Sequence, residues 1–485
     1  METLHTLLAA LPVLCVIGLI LLRVPALYAV VVSIAVALVL GFWFPIEGAQ
    51  LADRAVSLST VTVSVMFILL GGIVLSEHLA ASGAQDRISD WLGRAAGGFE
   101  RSMLMVGICV APLAESLVGF GVGVIIAVPL LTRLGLGLTK AATVGLVGLT
   151  MGAWGSLGPG ILIASELSGV DFSQLGIWAA KFNILPQLVL GASVAIIGLG
   201  AKRALRWAGE WVTASVLMWA TLLTVNVWLT PAIAGVLASL VGIIVFLVAA
   251  ALHGHRPPSM DRVTVRAFLP YGVLTVSMLA VSAFNLVIGF GAWTALLTSP
   301  GLWLMVTAAF TPRLVGIARS DAQLSVGRGA RLWIPICSVN VLYIMFGTLL
   351  SVNGMTAELA DQAAGLGRWF VPLIPVIGFL GGYITNSNSG AAAMLAGGLT
   401  GASNSLGINS AATLGLQNST TGFSSMASPS RVELAQRVAQ RDATPGGEKI
   451  DTVAILRTVL ISCGAAVAAL MLGAITANAL GWLAA

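Results

Sequence analysis

Charge is what this chain has least of. Of its 485 residues only 9% are Asp, Glu, Lys or Arg, against about 25% in an average soluble domain. Such scarcity excludes a water-soluble globular protein. Cysteine is rare too. Cys15, Cys109, Cys337 and Cys463 stand far apart in apolar runs, as buried small hydrophobes do, and not as a disulfide framework or a metal site. The four histidines, His5, His78, His253 and His255, fall at the ends of apolar segments or between them, which argues against a histidine proton relay. Neither a zinc motif nor a nucleophile–histidine pair occurs within the apolar runs, so an intramembrane enzyme is disfavoured. Rings of Arg or Lys, expected along an anion pore, are missing from the centres of those runs as well. No cofactor, metal or nucleic-acid partner is implied: the net charge of +5 comes from short basic loops.

What the chain has is hydrophobicity, at 58% of residues. Apolar stretches of about 18 residues or more, each able to cross a bilayer, recur from end to end. Candidate spans are about 7–22, 25–44, 55–76, 103–131, 141–165, 176–199, 211–228, 230–252, 267–288, 290–310, 332–352, 370–385, 388–403, 411–427 and 452–483. The first has neither a basic leader nor a small-residue cleavage site, so it reads as a helix and not as a signal peptide. The reading is an all-α polytopic membrane protein of roughly 12–14 spans, set in a lipid bilayer. It forms a single transmembrane transport domain, 1–485. Nothing in the sequence specifies an oligomeric state.

Basic loops orient the chain by the positive-inside rule. Lys202, Arg203 and Arg206, then Arg256, Arg262 and Arg266, then Arg313, Arg319, Arg328 and Arg331, mark three inner loops. Arg431, Arg437, Arg441 and Lys449 read as a fourth. The segment 156–171 has no basic residue and reads as outer. Arg23, between the first two spans, puts the amino terminus outside.

The chain also matches itself. Segment 136–159 lies on 406–429 without a gap, with 10 of 24 positions identical, among them Ala141-Ala142-Thr143 on Ala411-Ala412-Thr413, Gly152 on Gly422 and Pro159 on Pro429. The segment after Pro159 is free of basic residues and the one after Pro429 is rich in them, so the copies end on opposite sides of the membrane. That pattern points to two inverted-topology repeats, the construction common among secondary transporters. The halves are approximately 1–200 and 267–485, with connecting helices 201–266. Each half is interrupted twice. The first reads GFGVG at 119–123 and GAWGSLGPG at 152–160; the second reads TNSNSG at 385–390 and LQNSTTGFSSMASPS at 416–430. Gly, Pro, Asn and Ser clusters at membrane depth mean broken helices or re-entrant hairpins, whose freed backbone groups are tolerable only inside protein or against water. Half-helix N-termini there suit a carboxylate.

One carboxylate lies in this setting. Glu115 has no other charged residue within ten positions, and an acid at a helix centre costs roughly 2.5–3.5 kcal/mol. It is the candidate proton-coupling residue: burial favours a neutral carboxyl, which can release its proton to a wet opening. Candidate substrate-binding residues are Ser116, Gly119, Gly121 and Thr150 from the first half. From the second come Asn386, Ser387, Asn388, Ser389, Asn418, Ser419, Thr420 and Thr421. The alternative is Na⁺ held by Asn386 and Asn388, whose oxygens can ligate a hard cation. Trp154 reads equally as a site neighbour or an interfacial anchor.

These motifs resemble a known family. The run Glu115-Ser116-Leu117-Val118-Gly119-Phe120-Gly121 is similar to the Glu-Gly-Ala-Ala-Gly-Phe-Gly motif of the bacterial L-lactate permeases. Gly160–Ala164 with Ser168–Asp171, Asn418–Gly422 and Met426–Pro429 resemble further signatures of that family. The chain departs from it at Asn386-Ser387-Asn388-Ser389, where Ser-Asp-Thr-Ser is typical, and at Ser425, where a lysine is typical; one acid and one base are absent together. The resemblance implies uptake of lactate, glycolate or a similar small monocarboxylate, usually with protons, and a location in the bacterial inner membrane.

Overall fold

The computed structural model describes residues 2–22, 24–46, 48–288, 295–441 and 448–484. Arg23 and the start of the 290–310 span lie outside the described residues. In a bilayer every backbone N–H and C=O must be satisfied internally, and helices are the result. No β-strand occurs among the described residues, only an isolated bridge between Ile408 and Ala484.

In chain order the first half runs α1 (Glu2–Leu21), α2 (Ala26–Val39), α3 (Gly48–Ala81), α4 (Ala84–Ala95), α5 (Phe99–Met105), α6 (Ala111–Leu117), α7 (Val122–Arg133), α8 (Leu138–Val147), α9 (Pro159–Ser168) and α10 (Phe172–Leu199). Next come α11 (Ala201–Arg206), α12 (Ala208–Trp228) and α13 (Pro231–Leu252). The rest runs α14 (Arg262–Ile288), α15 (Ala295–Thr298), α16 (Pro300–Val315), α17 (Arg319–Val352), α18 (Met355–Ala364), α19 (Phe370–Thr385), α20 (Asn388–Ser405), α21 (Ser410–Ser424), α22 (Pro429–Gln440) and α23 (Thr452–Ala479). Among the described residues eight helices are long and apolar enough to cross a membrane, and four shorter apolar helices accompany them.

Two sequence-derived spans are therefore corrected. The 103–131 stretch is not one crossing. Pro112 cannot donate a backbone hydrogen bond, and a π-turn at Val106–Val110 carries the chain past it from α5 into α6. The chain then turns at 118–121 and returns as α7. Arg133, at the end of α7, pairs with Asp86 and Asp90 of α4 at 3.5 and 2.8 Å, and α5 follows α4 directly. Both arms thus reach the same end of the molecule, which makes the stretch a hairpin. The 141–165 stretch is likewise two short helices, α8 and α9, around a break. Hydropathy alone registers neither a reversal nor a half-crossing.

The elements recur along the chain. Helices α3 and α17 are both 34 residues long, and they begin at Gly48 and Arg319. The same offset separates Ala84, at the start of α4, from Met355, at the start of α18. Pro159 of α9 and Pro429 of α22 are separated by one position less. Packing follows the same correspondence. Helix α2 lies on α17 as α16 lies on α3; α9 lies on α20 as α22 lies on α7; α10 lies on α21 as α23 lies on α8.

Polar ties fix the two ends. At one, Arg101 donates to both oxygens of Glu210 at 2.7 Å and stacks over Trp207, locking α5 to α12. At the other, the Thr6 hydroxyl donates to Glu358 of α18 at 2.6 Å. That hydrogen bond, aided by His5, holds the Glu358 carboxyl below the usual carboxylate range.

Candidate functional site

The four breaks meet. In the first, Gly119, Phe120 and Gly121 all have positive φ, so α6 ends and α7 starts within a few residues. In the second, Ser156, Leu157 and Gly158 do the same between α8 and α9. The third turns at Asn386, the left-handed C-cap of α19, and Ser387 caps α20 by accepting from Gly390 N at 3.2 Å. In the fourth, Ser428 caps α22, with Pro429 at its first position. All the positive-φ residues other than glycine among the described residues, Phe120, Ser156, Leu157 and Asn386, belong to these breaks. Each such residue costs about 1–3 kcal/mol and persists where surrounding structure demands it, often at functional sites.

Glu115 sits at their junction. Its carboxylate accepts from the backbone N–H of Gly121 at 3.0 Å and of Gly123 at 3.3 Å, the open first turn of α7. Opposite, the Arg431 guanidinium donates from Nη1 to Glu115 Oε1 at 2.9 Å. Both side chains are more than nine-tenths buried, at 6% and 8% exposure. Arg431 Nε donates to Asn386 Oδ1 at 3.2 Å, and the Ser428 hydroxyl donates to the same oxygen at 2.7 Å. A single network thus joins the first, third and fourth breaks. The second joins through Ser156, whose hydroxyl donates to the Val118 carbonyl, and through Asn388, whose amide donates to the Ala153 carbonyl at 3.4 Å and to Asn418 Oδ1 at 3.1 Å.

Arg431 is the buried residue of this junction that the sequence reading missed. It counted there as part of an inner basic loop, but it is buried on the first turn of α22. The pair is hidden from local pattern because its members come from opposite halves of the chain. The signal that could have found it was the repeat itself: Pro429 aligns with Pro159 at a helix start, which puts Arg431 inside the broken helix and not beyond it. Trp154 also needs correction. It is fully buried, with its indole N–H directed at Asn226 Oδ1 at 3.5 Å, and is no interfacial anchor.

The other candidates divide. Gly119, Gly121, Asn386, Ser387, Asn388 and Asn418 lie in the network or the turns that build it. Ser116 and Thr150 are buried, and among the described residues neither hydroxyl has a hydrogen-bond partner; Asn388 Oδ1 has none either. Such orphans are costly unless something else fills the need. Ser389 is buried in the first turn of α20. Ser419 is directed at Asn183 Oδ1 at 3.4 Å. Thr420 and Thr421 turn their hydroxyls to helix carbonyls, Leu416 and Gln417, and are used in packing α21 rather than in the network.

Glycines set the close approaches. A Cβ at Gly119 would lie 1.9 Å from Ser156 Oγ, at φ +78°. Gly119→Ala is expected to separate the first two breaks and reduce transport at least tenfold while the protein still inserts; surface expression alongside uptake checks this.

A polytopic helical membrane protein whose broken helices converge on buried ionisable and amide side chains has the construction of a membrane transporter. The chain belongs to the L-lactate permease family, whose model matches residues 5–260 and 262–443. It is similar to the L-lactate permeases of Salmonella typhimurium and of Escherichia coli K12, each 24% identical over 474 residues and covering 85% of both chains. It is accordingly a multi-pass protein of the bacterial inner membrane, and a transporter rather than an enzyme.

Proposed function

We propose that this protein is a secondary active transporter of small organic anions of the lactate and glycolate kind, driven by protons through Glu115 and working by alternating access. The observation that carries the reading is the buried Glu115–Arg431 pair at the junction of four helix breaks. An acid at this depth is functional by default when it faces a partner or a path, and broken helices facing each other from two halves are the usual transport site. The orphan polar atoms of Ser116, Thr150 and Asn388 suit a ligand that carries both a carboxylate and a hydroxyl.

We read the two halves as inverted repeats. Reciprocal packing of corresponding helices supports a two-fold relation, because in a two-fold contact element i meets j and j meets i. Gly152 and Gly422, equivalent positions in the repeat alignment, approach backbone to backbone. The first hairpin opens on the end that carries Arg133. The second, α19 and α20 joined at Asn386, opens at 405–410, beside the carboxyl terminus, where Asn409 N donates to the Leu483 carbonyl. Hairpins opening at opposite ends support the inverted sense.

Protons fit better than Na⁺. The oxygen of Asn386 is already occupied by Arg431 and Ser428, and the guanidinium beside it repels a cation. In proteoliposomes, an inward pH gradient is expected to drive L-lactate accumulation and an inward Na⁺ gradient is not. Glu115→Gln should abolish the pH-driven accumulation and retain part of the exchange. Normal accumulation by that variant would remove Glu115 from the coupling step.

A further inference from the structure

The Glu115 carboxylate occupies a ready-made anion site. Its donors are a guanidinium and two backbone N–H groups at a helix start, a combination that binds carboxylates. In this structure the occupant belongs to the chain itself. We propose that Arg431, with the N–H groups of Gly121 and Gly123, is the anchor for the substrate carboxylate, and that Glu115 holds the anchor until a monocarboxylate displaces it. This deepens the proposed function and rests on it.

Charge balance gives the coupling. The buried site holds one cation and one carboxylate. A second carboxylate entering without a proton would leave a net negative charge in a low-dielectric interior, which is strongly unfavourable. If Glu115 takes up one proton as it leaves Arg431, the site returns to one cation and one anion. The O–H bond formed on Glu115 uses that proton, and no other bond forms or breaks. Substrate and proton then move together as a neutral pair.

Other features fit exchange at Arg431. Its Nε and Nη1 donate to Asn386 and Glu115. Asn386 holds the guanidinium through Nε, and Ser428 braces that Asn386 oxygen, so Arg431 keeps a tether when the carboxylate leaves. Gly121 leaves no room for a side chain, since a Cβ there would lie 3.0 Å from Arg431 Nη1. No other charged group completes the site among the described residues. On the elements packed against the pair the charged groups are Arg133 on α7, Lys140 on α8, Glu433 and Arg437 on α22, and Arg457 on α23, and the thiols are Cys109 before α6 and Cys463 on α23. Arg133 pairs with Asp86 and Asp90, and Arg437 with Glu433; none of the five is paired with Glu115 or Arg431.

The test is equilibrium binding of L-lactate to the purified protein, by calorimetry in buffers of different ionisation enthalpy. Wild type should take up about one proton per lactate bound, and its affinity should rise as pH falls. Glu115→Gln should bind about tenfold more tightly at pH 7.5, with no proton uptake, because a neutral amide competes weakly for a guanidinium. Arg431→Gln leaves Glu115 without a partner and can fail to fold. The double variant Glu115→Gln/Arg431→Gln removes both charges and is the decisive comparison: it should not bind lactate. Lactate binding by the double variant equal to that of Glu115→Gln would overturn the anchor, and so would unchanged proton uptake in Glu115→Gln. If wild type itself does not bind L-lactate, the underlying substrate reading fails, and the anchor with it.

Discussion

Arg431→Ala is expected to be among the most destabilising single substitutions in this chain, costing about 3–5 kcal/mol, because it leaves a buried carboxylate without its counter-charge. Glu115→Ala should cost a similar amount for the mirror reason. The reference is a folded protein in which both side chains are more than nine-tenths buried, so water cannot replace the lost partner. Removing both charges together avoids the uncompensated ion, so Glu115→Ala/Arg431→Ala should be more stable than either single variant. Thermal unfolding of the four proteins in detergent measures this directly. Additive losses would mean that the two groups do not depend on each other and that the pair is not closed in the folded protein.

The second large effect is steric. A Cβ on Gly152 would fall 1.9 Å from the Gly422 carbonyl oxygen, and one on Gly422 would fall 2.2 Å from Ala153 N. These are backbone atoms, which cannot rotate away as a side chain can. Either alanine must therefore push the second break away from α21, at a cost above the about 1–3 kcal/mol usual for an overpacked side chain. Gly152→Ala and Gly422→Ala are each expected to abolish uptake and lower the melting temperature by several degrees. Gly464 on α23 is the control: a Cβ there meets nothing within 4 Å, so Gly464→Ala should be neutral or gain up to about 1 kcal/mol from helix propensity. Wild-type uptake by Gly152→Ala would show that the halves do not meet at this point.

Much of this arrangement was legible in the sequence, for physical reasons. Low charge and repeated apolar runs define a membrane protein because the bilayer admits little else. Gly, Pro and Asn clusters located all four breaks, since a helix at membrane depth stops only where such residues allow it. Glu115 stood out because an isolated acid in an apolar run is expensive. What was lost is what local patterns do not carry. The glycines at 119–123 mark the first break as a broken helix or hairpin, but hydropathy has no direction and runs the 103–131 stretch across it. Arg431 looks like a loop residue, because positive-inside counting treats every arginine near an apolar boundary alike. Its burial depends on α22 packing against α7 and α8, contacts that join opposite halves of the sequence. The sequence also does not show that the Thr420 and Thr421 hydroxyls reach helix carbonyls, Leu416 for Thr420 and both Gln417 and Gly378 for Thr421.

The distinction between a carrier and a passive pore is decided most directly by counterflow. Wild-type protein in proteoliposomes preloaded with unlabelled L-lactate is presented with a trace of labelled L-lactate outside, with no pH gradient. A site that faces one side at a time returns occupied more often than empty, so the expected result is a transient accumulation of label above its equilibrium level, saturating with external lactate. A flux that rises in proportion to concentration, with no overshoot, would contradict alternating access at the Glu115–Arg431 junction.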